Sequence, residues 1–143
     1  ISMKKILFVT HTLLLCMACS SDDKDNVETI SVYEIPASCI PDIDKDKIMI
    51  ICSEAEFKNI FADNSKLLRP VNFSHAGLLL VRGVSTSGIS KIEKELTQTG
   101  NGYELTVTVS QNLLAVLEPW CVAYIVPKGI DKNTVKLTVN YQN

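Results

Sequence analysis

Two kinds of hydrophobic pattern divide the chain. The first alternates. Residues 103–110 place Tyr103, Leu105, Val107 and Val109 on one side and Glu104, Thr106, Thr108 and Ser110 on the other, and residues 134–141 repeat this with Val135, Leu137, Val139 and Tyr141. Period-2 alternation predicts half-buried strands. The second pattern is continuous. Residues 48–52, 76–81, 113–117 and 120–126 are almost wholly apolar, which predicts buried strands. Residues 113–117 and 120–126 read as two strands, or as one long strand bent at Pro119. The stretch 102–128 contains both patterns and the sole tryptophan, and the sheet is expected to be built around it.

Local signals add the remaining elements. Ser53-Glu54-Ala55-Glu56 has the form of a capping box, and Phe57, Ile60 and Phe61 follow at helical spacing, so a helix is predicted over 54–62. Thr99-Gly100-Asn101-Gly102 is a turn that can supply positive φ, joining 89–98 to 103–110 as a hairpin. Residues 89–98 mix charges with Ile92 and Leu96, so helix competes there; the adjoining turn favours strand. Residues 27–35 read as a first strand ended by Pro36. The expected fold is mainly β (α+β): an antiparallel sandwich or open barrel of about seven strands with one short helix.

The N-terminal segment changes the picture. Lys4 and Lys5 precede an apolar run from Ile6 to Ala18, too short to span a bilayer and proportioned as a signal peptide over residues 1–18. Residues 19–27 (Cys-Ser-Ser-Asp-Asp-Lys-Asp-Asn-Val) read as a disordered acidic tether, and 28–143 as a single β-rich domain. Removing residues 1–18 takes away two of the 14 Lys and Arg and none of the 16 Asp and Glu. The net charge moves from −2 to about −4, which disfavours nucleic acid as a partner.

Two resemblances bear on function. Leu15-Cys16-Met17-Ala18-Cys19 resembles a bacterial lipobox, although Cys16 stands where leucine is usual. The resemblance implies cleavage before Cys19 and acylation of that cysteine. The acidic residues after it resemble the address of surface-exposed lipoproteins of Bacteroidetes-type bacteria. These features imply an outer-membrane lipid anchor at the cell surface; an anchor facing the periplasm is the alternative. Within 72–128, Asn72-Phe73-Ser74, the run from Leu78 to Gly83, Gly102-Tyr103 and Pro119-Trp120 are similar to small Bacteroides-type lipoproteins of unknown function. They resemble more distantly the C-terminal domain of the PrcB protease-complex subunit family. That likeness implies a non-enzymatic, partner-binding module and supplies no catalytic residues.

Candidate chemistry is sparse. No cofactor motif is present, and neither C-x-x-C nor a second histidine accompanies His75 after the signal, so no metal site is expected. The D-x-D-x-D run at 42–46 fails as a calcium loop, because Lys47 replaces the glycine and Ser53 the closing glutamate. Cys39 and Cys52 could pair as a disulfide in an exported protein, as could Cys52 and Cys121; buried free thiols are the other reading. Glu93, Glu95, Glu104 and Glu118 form the pool for a carboxylate-dependent glycan hydrolase. Trp120 and Tyr124 could form a partner or sugar-stacking surface, although their spacing also suits a core. A protease inhibitor or stabiliser would need a protruding loop, expected at 83–88 or 129–133. The leading expectation is a membrane-anchored lipoprotein whose non-catalytic domain binds a protein or glycan.

Overall fold

A computed structural model describes residues 30–143. The expected signal peptide, Cys19 and the 19–27 tether lie outside the described residues. The described chain folds as two sheets packed face to face with one helix. Its strands are β1 (Ser31–Val32), β2 (Met49–Ile51), β3 (Ala76–Ser85), β4 (Ile89–Gln98), β5 (Tyr103–Gln111), β6 (Glu118–Pro127) and β7 (Val135–Gln142), and its helix is α1 (Glu54–Phe61). Sheet one has the order β1-β6-β3-β2 and sheet two the order β4-β5-β7. Of the two architectures expected, the sandwich is the one formed. β6 and β5, both inside residues 102–128, occupy interior positions in the two sheets.

Sheet one is buried on both faces, which explains the continuous runs. On β3, Ala76, Leu78 and Leu80 face the helical layer, while Leu79 and Val81 face sheet two. β6 divides in the same way: Ala123 joins the helical side, and Trp120, Val122, Tyr124 and Val126 join the inter-sheet core. Sheet two has one wet face, so β5 keeps its strict alternation, with Leu105, Val107 and Val109 inward and fully buried.

The local signals hold. Ser53 caps α1 by accepting a hydrogen bond from the Glu56 amide at 3.2 Å. The Glu56 carboxylate reaches back to the Cys52 amide at 3.0 Å, one residue earlier than in a standard capping box. Phe57 and Phe61 seal the outer face of sheet one, their rings 4.9 Å apart. The hairpin forms where expected, with Leu96 opposite Leu105 and the Thr99 amide donating to the Gly102 carbonyl at 2.7 Å.

Three expectations fail. Only Ser31–Val32 pairs as a strand near the start of the domain. The β5–β7 pairing is parallel, with Tyr103 opposite Val135, so sheet two is mixed. This follows from the crossover: β6 returns to sheet one between β5 and β7. Residues 113–117 form no strand and cross between the sheets as an exposed loop.

Candidate functional site

The end of the sandwich where β3, β5 and β6 change sheet carries the most unusual surface of the described chain. The connections 86–88 and 112–117 meet there. The Asn112 amide donates to the Gly88 carbonyl at 2.9 Å, and the Gly88 amide donates to the Leu114 carbonyl at 3.0 Å. The Asn112 side-chain oxygen accepts from the Leu114 amide at 2.9 Å. A side chain at Gly88 would strike the Asn112 amide group, its Cβ falling 2.4 Å from Oδ1, so glycine is what lets the two loops close.

Beneath them lies a polar knot. Ser85 is fully buried and its hydroxyl donates to the Ser87 carbonyl at 2.6 Å while accepting from Gln111 Nε2 at 2.7 Å. Glu118 accepts the Ile89 amide at 3.1 Å. These bonds satisfy the buried polar groups of the crossover and tie sheet one to sheet two.

On this frame the loop presents Leu113-Leu114-Ala115-Val116-Leu117 to solvent. Leu113 is fully exposed, Leu117 74% exposed and Leu114 62% exposed. Scattered surface leucines are ordinary, whereas an unbroken exposed aliphatic run is not. The residues that frame the loop (Ser87, Gly88, Asn112 and Glu118) include no cation.

Of the two readings of Trp120 and Tyr124, core and partner surface, the structure shows the core. They are 2% and 4% exposed and belong to the inter-sheet core. The Trp120 indole lies against Gly83 on the neighbouring strand, where any Cβ would fall 2.2 Å from the ring. Its Nε1 donates to the Tyr141 hydroxyl at 3.1 Å. Burial pushes the Tyr124 hydroxyl above its ordinary range, and the carboxylates of Glu95 and Glu34 push the same way.

The cysteines are thiols. Cys39 is packed in the core under α1, whereas Cys52 is exposed just before the cap; of the open readings, Cys39–Cys52, Cys52–Cys121 or free thiols, the described residues show free thiols. Burial pushes the Cys121 thiol up to about 12 against the opposing pull of Arg82, which makes it a poor nucleophile.

Of the carboxylate pool, Glu93 and Glu95 stand together on the exposed face of β4, lining a shallow cavity of about 300 Å³ with Thr106 and Thr108, while Glu118 lies apart from them. Glu93 and Glu104 pair with Lys91 and Lys136 on sheet two, while Glu118 is occupied at the crossover end. No group of three His, Cys, Asp or Glu suited to a metal ion occurs among the described residues. An exposed loop sits at 113–117, and the expected 129–133 connection is also exposed, between β6 and β7; β3 continues to Ser85 and fixes much of the expected 83–88 loop.

Sequence reasoning missed this loop because residues 113–117 carry the composition of a core strand. Asn112 before the run and Pro119 after it were the available signals. Comparison with family models, with curated proteins and with solved structures finds no match.

Proposed function

We propose that this chain is an envelope lipoprotein, held at the outer membrane by acyl chains on Cys19 and facing the cell surface, whose domain does no chemistry and binds a protein partner through loop 113–117. The single observation that supports this reading is the exposed aliphatic run on a hydrogen-bonded frame. Its chemistry suits an apolar groove on a protein. A glycan site would call for exposed aromatic rings, and Trp120 and Tyr124 are buried.

Placement favours a protein over the chain's own membrane. Ser31 pairs with Ile125, so the chain enters the sandwich near the far end of β6. The loop joins β6 at Glu118, about 24 Å away at strand rise. β1 therefore enters the sandwich at the end away from the loop, so a taut link to a membrane would hold the loop on the far side. The absence of lysine or arginine in its frame also argues against an anionic bilayer.

The test is site-specific photocrosslinking in cells that make the native lipoprotein, with the probe at Leu114 and a control at Thr106 on the outer face of sheet two. A discrete adduct at Leu114, lost when Leu113 and Leu117 become serine, supports the proposal. Loop-dependent flotation of the Cys19→Ser chain with phosphatidylethanolamine–phosphatidylglycerol vesicles would replace the protein partner with a lipid surface. A mature N-terminus other than acylated Cys19 would remove the anchor.

A further inference from the structure

The two edges of sheet two differ in how they are protected. β4 is blunted: it has a register irregularity at Ile89/Lys91, and Lys94 points toward the core side, mostly buried, with Nζ 3.8 Å from Glu34. Irregularities and inward-pointing charges are devices that stop an edge from pairing further. β7 has neither. It runs eight residues without proline or irregularity, and among the described residues β5 is its only neighbour.

The flank beside β7 is also apolar. Leu137 and Val139 are only partly buried, as are Ile48 and Ile50 beside the opposing edge strand β2. A cavity of about 520 Å³ lies along β2, with Ile43, Ile48, Met49 and Ile50 on its floor and Asp44, Lys47 and Glu56 at its rim, and is reached by Lys132 from the turn that leads into β7. The sandwich thus carries an ion pair on its β1–β4 side and is open on its β2–β7 side along a seam of aliphatic side chains rimmed by charges.

We propose that β7 is the edge through which two copies of this chain pair, antiparallel and two-fold, about Thr138. The sequence of β7 is self-complementary in that register. Thr138 faces Thr138 of the second copy, Leu137 faces Val139, Lys136 faces Asn140 and Val135 faces Tyr141. No like charges oppose one another, and each pair has both side chains on the same face. Sheet two becomes a continuous six-stranded sheet, and the two seams meet beneath it. Backbone pairing over seven residues alone makes a weak contact; burying both seams adds apolar area toward the roughly 800 Å² per partner of a stable pair. The contact is isologous, so the assembly closes at two.

Sedimentation of the Cys19→Ser chain, which carries no acyl group, tests this between about 1 and 500 μM. The expected result is a mass that rises from one copy to two. Leu137→Lys copies the device of Lys94 and is expected to weaken association at least tenfold with an unchanged circular-dichroism spectrum. Should that variant misfold, Thr138→Cys in a Cys52→Ser background provides an independent readout. Directly opposed strand residues lie within disulfide reach, so mild oxidation should link two copies through position 138. A single-copy mass throughout with no crosslink overturns the proposal. So does a dimer that survives in folded Leu137→Lys, or one that Leu114→Ser and Leu117→Ser abolish instead.

Discussion

Residues 78–81 and residues 113–117 are both short aliphatic runs, Leu-Leu-Leu-Val and Leu-Leu-Ala-Val-Leu, and they have opposite fates. The first is the centre of β3, with all four side chains fully buried. The second is the most exposed apolar segment of the described chain. Composition and propensity do not separate them. What separates them is the environment supplied by distant residues. The run at 78–81 lies between β2 and β6 in sheet one and between two apolar layers. The run at 113–117 must cross between sheets, and its backbone is held by Gly88 and Asn112 rather than by a ladder.

Substitutions that shorten each run should sharpen this contrast most. Leu79→Ala and Leu80→Ala are expected to cost about 2–5 kcal/mol each in urea unfolding. Leu114→Ala should stay within about 0.5 kcal/mol. An equal loss at Leu114 would mean that the loop is core after all. Gly83→Ala tests the continuation of the buried run. Its methyl group would meet the Trp120 ring, and the expected loss is about 1–3 kcal/mol, with a change in the tryptophan emission maximum.

Alkaline titration acts on the buried side alone. The Cys121 thiol, ordinarily near 9.0, is raised to about 12 in the folded chain, so the unfolded state releases its proton first. Its contribution to stability is fully present below about 9 and is lost as pH climbs from about 9 through about 12. Cys121→Ala should flatten that part of the stability profile. At pH 8 a thiol reagent should modify exposed Cys52 quickly and Cys121 only on unfolding. The smallest effect on stability is expected from replacing Leu113, Leu114 and Leu117 together with serine. Stability should change by less than about 0.5 kcal/mol per site, while crosslinking of the partner is abolished.

Much of the fold was legible because its signals are local. The cap at Ser53 and Glu56, the turn at Thr99–Gly102 and the alternation of β5 each lie within a few residues of the structure they specify. The parallel β5–β7 pair was not, since strand order depends on where β6 goes, and no local pattern in 103–110 or 134–141 encodes that. The brevity of β1 was hidden for a related reason: Ile30 and Tyr33 go to opposite cores, so a β-rich segment binds by its side chains and little by ladder pairing. The candidate site was illegible because its decisive feature is the absence of cover over leucines that look like core. The alternating spacing of Trp120 and Tyr124 pointed to the core where they lie, but not to what makes room there: Gly83, thirty-seven positions before the tryptophan, provides the space that buries it.

The parallel pairing of β7 with β5 also sets a timetable. Sheet two lacks one of its edges until Val135–Gln142 pairs with Tyr103–Gln111, and the Tyr141 hydroxyl that receives the Trp120 indole arrives with that strand. The chain can therefore form α1 and the β4–β5 hairpin early, but the sandwich is complete only once β7 has docked beside β5. Pairings so distant in sequence fold slowly. The indole N–H of the single tryptophan reports that step, because its Tyr141 partner comes only with β7.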